Sequence, residues 1–117
     1  MQHEALMRHI GPAVSIFGSA RVKPGHPLYN KTEDIGYTLA RKGFAIVTGG
    51  GPGLMEAANK GGFRGGKSIG LKIELPKFSH EKEINSFVKT ALAFKYFFAR
   101  KLTFIYLTRA AIVMPGG

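Results

Sequence analysis

The sequence predicts an α/β domain built on a parallel, doubly wound sheet of the Rossmann type. Two observations lead to this class. Short apolar runs alternate along the chain with segments of helical periodicity, as in proteins whose parallel strands are joined by helices. Glycine clusters also follow several of the apolar runs, where a strand would turn into the next element. A chain of 117 residues, 44% hydrophobic and 21% charged, suits one globular domain.

Strands are predicted where apolar residues run together or alternate with polar ones, at residues 13–17, 44–48, 69–75 and 110–114. Three of these segments are continuous apolar runs, which is typical of strands buried on both faces. The segment 69–75 instead alternates, with Ser68, Gly70 and Lys72 on its polar side. It is therefore predicted to be an edge strand with one face in water.

Helices are predicted between the strands, over residues 30–42, 54–60 and 94–107, with loops at 21–27 and 77–85. In the first helix, Ile35 and Leu39 share a face and Gly43 follows as a stop. Glu33 and Asp34 are placed in its first turn, where acidic side chains complement the helix dipole. The last helix carries six of the thirteen aromatic residues.

Right-handed crossovers give these four strands the order 3-2-1-4, and ligands of such sheets bind at the carboxyl ends of the strands where the order reverses. Three segments fall at that edge: Gly18 and Ser19; Gly49, Gly50, Gly51 and Gly53; and Pro115, Gly116 and Gly117. The sequence stops just after a strand, where a doubly wound sheet normally continues into a covering helix. We therefore expect residues 1–117 to be a single nucleotide-binding domain that is incomplete at its C-terminus.

Composition narrows the classes of ligand. Seventeen Lys and Arg against seven Asp and Glu give a net charge of +10, which suits anions such as phosphates, nucleotides or nucleic acid. The absence of cysteine excludes disulfides, cysteine nucleophiles and thiolate metal sites. The four histidines show no ligand spacing, so no metal or cofactor is expected. No signal peptide or membrane span is predicted, and a cytoplasmic location follows by default.

The glycine loop at residues 49–53 is the main candidate site. Its glycines allow a ligand to approach the backbone amides, and the helix that follows offers free N–H groups and a positive dipole end to an anion. Phosphate or nucleotide binding is therefore predicted at the loop and at Leu54, Met55 and Glu56. For Glu56, two roles remain open: complementing the helix dipole, or contacting a hydroxyl group of the ligand.

Neither standard nucleotide fingerprint fits well. The dinucleotide pattern G-x-G-x-x-G requires glycine where Glu56 or Leu54 stands, although Glu74 follows about 20 residues on, like a ribose-binding acid. Residues 61–68 match G-x-x-x-x-G-K-S literally. They follow a predicted helix and open a strand, which reverses the order that a phosphate-binding P-loop needs. We interpret this segment as a helix stop and connector.

Four segments together resemble the LOG family, Rossmann-like proteins long labelled "putative lysine decarboxylase". The segments are VSIFGSAR at residues 14–21, VTGGGPGLMEAAN at 47–59, FFARK at 97–101 and VMPGG at 113–117. The resemblance implies a phosphoribohydrolase that cleaves nucleoside 5′-monophosphates, AMP or cytokinin riboside monophosphates, to free base and ribose 5-phosphate. It also implies a homodimer. The decarboxylase label does not fit, because no lysine is singled out for a pyridoxal phosphate Schiff base.

Residue by residue, the resemblance assigns residues 49–53 and 115–117 to a phosphate and ribose cradle. It gives Arg100 a catalytic role, with Lys101 beside it. The family pattern continues into Gly-Thr and a catalytic glutamate, which this sequence does not contain. That matters because N-glycosidic cleavage passes through an oxocarbenium-like state that needs a carboxylate.

Two other functions remain open. One is a non-catalytic protein that binds a nucleotide or a phosphorylated cofactor, as molybdenum cofactor carriers of similar architecture do. The other is a nucleic-acid-binding Rossmann protein. The sequence argues against it, because the basic residues are scattered over at least four segments and do not form one stripe. A homodimer through residues 94–107 is predicted in any case, since this helix is apolar on more than one face.

Overall fold

The computed structural model describes residues 10–73, 84–94 and 108–116. Its elements, in chain order, are β1 (Ala13–Phe17), α1 (Pro27–Arg41), β2 (Ala45–Thr48), α2 (Leu54–Gly65), β3 (Ser68–Ile73), β4 (Thr90–Phe94) and β5 (Ala110–Val113). All neighbouring strands pair in parallel, in the order β4-β3-β2-β1-β5. The predicted doubly wound α/β class is confirmed, and the four predicted strands have the predicted order.

The strand order reverses at β1. Ser15 of β1 pairs with Val47 of β2 on one side and with Ala111 of β5 on the other. Because these three strands run in the same direction, their carboxyl ends meet at one edge of the sheet. The segments that follow β1, β2 and β5 are therefore brought together by the topology.

Helices α1 and α2 cover the same face of the sheet. Their buried side chains join Val14, Ile16 and Ile46 of the strands in one apolar cluster. The two helices also touch through their backbones, since a Cβ atom on Gly36 would lie 2.6 Å from the Ala58 carbonyl oxygen. The opposite face of the sheet carries a second cluster, formed by Ile10 and inward residues of β1, β2 and β3.

Both described helices differ in length from the prediction. Helix α1 begins at Pro27, three residues early, because the His26 ring accepts a 3.0 Å hydrogen bond from the Leu28 N–H and proline is favoured at the first helical position. Glu33 and Asp34 therefore lie beyond the first turn, and their predicted placement was wrong. Helix α2 continues past residue 60 to Gly65.

The glycines near the end of α2 allow the helix to pack closely on its neighbours. A Cβ atom on Gly61 would overlap the backbone of α1, and one on Gly62 would lie 2.8 Å from the Ile46 Cβ atom. Glycine here permits close packing of the helix on its neighbours and does not end it. The literal P-loop match thus covers the end of a helix, a short turn and the first residue of β3, so the order of elements is not that of a P-loop. The interpretation of residues 61–65 as a helix stop was wrong, because they are helical.

The edge-strand prediction for β3 was wrong. Strand β4, which the sequence pattern did not reveal, pairs with β3 and forms that edge of the sheet. Ser68 and Gly70 are consequently buried and not in water. The Ser68 hydroxyl is paired inside the protein, and Gly70 lies against Val88.

The last strand and the start of the aromatic segment also differ from the prediction. Strand β5 was predicted to be buried, but Val113 is 68% exposed and Ala110 and Ala111 are also exposed. Phe94, predicted to begin a helix, is the last residue of β4, and residues 95–107 lie outside the described residues. In the three described ranges, no helix is long and apolar enough to cross a membrane.

Candidate functional site

Three of the predicted glycine segments meet around Ser19. The Ser19 N–H donates a 3.2 Å hydrogen bond to the Pro115 carbonyl, and the Ser19 carbonyl accepts a 2.9 Å bond from the Leu54 N–H. The turn after β1 thus bridges the turn after β5 and the start of α2. The structure therefore brings together the carboxyl-edge segments that the topology predicts to converge.

Glycine is required at two of these contacts. Gly53 has φ +73°, and a Cβ atom there would overlap the Ser19 carbonyl oxygen. Gly116 has φ +79°, and its Cβ would lie 2.8 Å from the Ser19 Cβ. L-residues rarely adopt such angles, so both positions combine backbone strain with a close approach. At these two positions the packing leaves no room for a side chain.

Two of the predicted anion-binding amides already have partners. The Gly50 N–H donates a 2.9 Å bond to the Thr48 hydroxyl, and the Leu54 N–H is bonded to Ser19. No side chain caps the start of α2. In the part of the chain that the structure describes, the amides of four residues have no acceptor: Gly51, Gly53, Met55 and Glu56. These four are the candidate donors for an anion.

A cavity of about 430 Å³ adjoins two of these four residues, Gly53 and Glu56. Pro52, Gly53 and Glu56 line it on the α2 side, and Arg21 and Lys23 line it on the side of the turn after β1. The lining thus combines two cationic side chains, the start of a helix and one carboxylate. The positive charges outnumber it, which favours an anionic ligand.

The Glu56 carboxylate is held by a buried phenol. The Tyr29 hydroxyl donates a 2.7 Å hydrogen bond to Glu56 Oε2, and Tyr29 is 2% exposed. Burial raises the pKa of Tyr29 well above its usual range, and the hydrogen bond and negative charge of Glu56 raise that pKa further. Tyr29 therefore stays protonated and acts as a fixed donor, which orients the carboxylate at the cavity wall. This position is compatible with both roles considered for Glu56.

Comparison with known proteins identifies the family. Residues 11–117 match the profile of the SLOG cluster4 family over nearly the whole chain. This chain belongs to the SLOG cluster4 family. The match confirms the predicted relation to LOG-like proteins. A comparison with curated proteins finds no significant match.

Solved structures share the fold of this SLOG cluster4 chain. TM1055, known from an X-ray structure, aligns with a TM-score of 0.72 at 23% identity, over 90% of this chain and 61% of that one. A molybdenum cofactor binding protein from the phototrophic bacterium Rippkaea orientalis aligns with a TM-score of 0.68 at 24% identity, over 91% and 63% of the two chains. The molybdenum cofactor carrier protein of Chlamydomonas reinhardtii gives 0.73 at 21%, over the same shares.

These likenesses establish the fold of the SLOG cluster4 chain and not its ligand. Identities of 21–24% show a common architecture alone. The chain also spans only about three fifths of the length of these structures. Any proposal about its substrates and partners must therefore be argued from its own residues.

Several predicted site residues of the SLOG cluster4 chain lie outside the described residues: Glu74, Arg100, Lys101 and Gly117. Their roles stay predictions. Within the described ranges, no group of three or more His, Asp or Glu side chains is placed to hold a metal ion.

Sequence reasoning missed the polar side chains that support the site in this SLOG cluster4 domain. Thr48, Asn59 and Asn85 form a hydrogen-bonded network under the glycine loop, and Asn59 is fully buried. One signal was present: Asn59 follows Leu54, Ala57 and Ala58, apolar residues that lie on one side of the predicted helix. A polar residue next to a buried face requires buried partners.

Proposed function

We propose that this chain binds the phosphate group of a nucleoside 5′-monophosphate at the carboxyl edge of β1, β2 and β5. The observation that supports it is a set of four amides, at the junction of the glycine loop and α2, that find no acceptor among the described residues. Backbone N–H groups at the start of a helix bind phosphate oxygens, assisted by the helix dipole. The net charge of +10 attracts such ligands over a longer range.

The adjoining cavity supports a nucleotide over a bare phosphate. It opens beside Gly53, so a phosphate on the amides would have its sugar next to Arg21, Lys23 and Glu56. Carboxylates accept hydrogen bonds from sugar hydroxyls, and Tyr29 already fixes the orientation of Glu56. A ribose with free hydroxyls is the group that this wall fits.

We further propose that this site serves N-glycosidic hydrolysis, as the LOG resemblance implies. Such a reaction needs a carboxylate to stabilise the oxocarbenium-like state or activate water. The sequence contains no Gly-Thr-x-x-Glu continuation, so the 117-residue chain should release adenine from AMP negligibly. In a longer chain that includes this motif, Arg100→Ala should lower turnover on the order of 100-fold.

Phosphate binding and hydrolysis can be tested separately, the first by calorimetry and the second by chromatography. AMP and ribose 5-phosphate should bind the chain, whereas adenosine, which lacks the phosphate, should bind at least tenfold more weakly. Equal binding of AMP and adenosine would contradict a phosphate site. Chromatography of the same mixtures measures adenine release, and rapid release by the 117-residue chain would show that the family glutamate is not needed.

A second candidate is the carriage of a phosphorylated cofactor without turnover. It is favoured by the molybdenum cofactor binding and carrier proteins that share the fold. The same amides would hold its phosphate. Isolated molybdenum cofactor should then displace AMP from the site, and a longer chain should still release no adenine. A homodimer through residues 94–107 and a cytoplasmic location stay predictions.

A further inference from the structure

A buried asparagine organises the polar groups beneath the glycine loop. Asn59 Oδ1 accepts bonds from the Thr48 hydroxyl at 2.5 Å and from Asn85 Nδ2 at 3.1 Å. Asn59 Nδ2 donates to the Ser68 hydroxyl at 2.9 Å and to the Ile69 carbonyl at 3.2 Å. The amide group thus uses its full capacity of two donors and two acceptor sites. This network fixes one orientation of Asn59 and, through it, of Thr48 and Asn85.

Asn85 connects this network to the glycine loop. Its backbone N–H donates to the Gly50 carbonyl at 2.9 Å, and its Nδ2 donates to the Gly51 carbonyl at 3.0 Å. Its Oδ1 accepts from the Phe87 N–H at 3.0 Å, which orders the turn that carries Asn85. The residue therefore binds two consecutive loop carbonyls from the segment that precedes β4.

Because the peptide unit is planar, the bond to the Gly50 carbonyl also sets the direction of the Gly51 N–H. The described chain has no cis peptide bond, so the Gly50 carbonyl and the Gly51 N–H point in opposite directions across one planar unit. Since the Gly50 carbonyl points to Asn85, the Gly51 N–H points away from Asn85. The Thr48 hydroxyl meanwhile holds the Gly50 N–H at the other end of the same residue. The two peptide units that flank Gly50 are thus each held by one hydrogen bond.

We propose that Asn85, locked in place by Asn59, is a positioning residue that presents the Gly51 N–H to the ligand phosphate. The inference rests on the proposed phosphate site and adds to it the residue that prepares one of its donors. A preset amide binds an anion more tightly than one that must first rotate, because no ordering cost remains. Asn85 itself does not touch the phosphate.

The test compares Asn85→Ala with Ser68→Ala. The first variant removes the side-chain bonds to the Gly51 carbonyl, to Asn59 and to the Phe87 N–H. Its backbone N–H can still donate to the Gly50 carbonyl, but residue 85 is no longer locked in place. The second removes a buried hydroxyl from the same network without touching the loop. Urea denaturation measures the stability lost by each. Binding of inorganic phosphate and of AMP, and the hydrogen-exchange rate of the Gly51 amide, measure the state of the loop.

In Asn85→Ala, binding of both probes should weaken about tenfold, the effect of misaligning one hydrogen bond to a charged group. Gly51 amide exchange should change even without a ligand. In Ser68→Ala, both properties should stay within about twofold of the original chain. Equal weakening in both variants would overturn the inference, because loss of binding would then follow from loss of stability.

A measurement on the unaltered chain guards against a variant that fails to fold. Scalar couplings across hydrogen bonds, observed by NMR, should link the backbone nitrogen of Asn85 to the Gly50 carbonyl carbon before and after phosphate is added. Loss of this coupling on binding would overturn the positioning role. If the original chain binds AMP while Asn85→Ala binds it equally well, the inference fails and the phosphate site stands. If the original chain binds neither probe, both fail.

Discussion

The hydroxyl of Tyr29 donates a 2.7 Å hydrogen bond to the carboxylate of Glu56, 27 positions along the chain. The bond ties the buried face of α1 to the first turn of α2, directly beside the candidate phosphate amides. Because Tyr29 is almost fully buried, its donor cannot turn to water when a ligand arrives. The orientation of Glu56 is therefore set by the fold before any ligand binds.

Removing this hydroxyl should destabilise the protein. We expect Tyr29→Phe to lower the free energy of unfolding by about 1.5–3 kcal/mol, the range for a hydrogen bond to a charged group. Tyr37→Phe is the matched control, since that hydroxyl makes no hydrogen bond to the described residues and its ring contacts remain. Urea denaturation of both variants checks this. Equal losses of stability would show that the Tyr29 bond contributes nothing.

The same phenol predicts a loss of stability in alkali. Because the pKa of Tyr29 is raised in the folded state, the unfolded chain releases this proton first, and stability should fall as the pH rises above about 10. Below that pH the contribution should be complete. Urea midpoints between pH 8 and pH 11 should decline less steeply for Tyr29→Phe than for Tyr37→Phe. Parallel curves would contradict the raised pKa.

Much of the fold is predictable because buried parallel strands leave a strong pattern. The apolar runs of β1 and β2 and the glycine loop between β2 and α2 appear in the structure where the sequence places them. Strand β4 was not predicted, because its sequence TALAF, at residues 90–94, is short and merges with the aromatic run that follows. Its pairing with β3 depends on the crossover and not on local pattern.

The candidate site was predictable only at the level of segments. Topology indicated which turns converge, but hydrogen bonding decides which amides are available. The Leu54 amide is taken by Ser19, and the Gly50 amide by Thr48. The contact between Tyr29 and Glu56 depends on how α1 crosses α2, which single-residue propensities do not encode. Such long-range partners become visible only when the elements are assembled.

The close packing at Gly53 leads to a third prediction. Gly53→Ala adds a side chain at a positive φ where it would overlap the Ser19 carbonyl, so we expect stability to fall by more than about 3 kcal/mol. Gly25→Ala is the control, because Gly25 also has a positive φ but has open space around it. It should cost about 1 kcal/mol from backbone strain alone. Similar losses in thermal or urea unfolding would show that the contact with Ser19 is unimportant.

A fourth prediction separates the two roles of Glu56. If Glu56 contacts a ligand hydroxyl, Glu56→Gln should weaken AMP binding by up to about tenfold, because a charged acceptor is replaced by a neutral amide oxygen. If it only complements the helix dipole, removing its negative charge should strengthen the binding of any anion. We expect weaker binding of AMP together with unchanged or tighter binding of inorganic phosphate. Calorimetry with both ligands measures this, and tighter AMP binding would reject the hydroxyl contact.

The most direct test of the phosphate site is an NMR titration of the unaltered chain with AMP, followed through its backbone amides. The account predicts shifts at the amides of Gly51, Gly53, Met55 and Glu56, and smaller shifts at Gly50 and Leu54, whose N–H groups are already bonded within the protein. Adenosine at the same concentrations should shift these six amides much less. If millimolar AMP shifts none of the first four, or if adenosine shifts them equally, the carboxyl edge of this sheet is not a phosphate site.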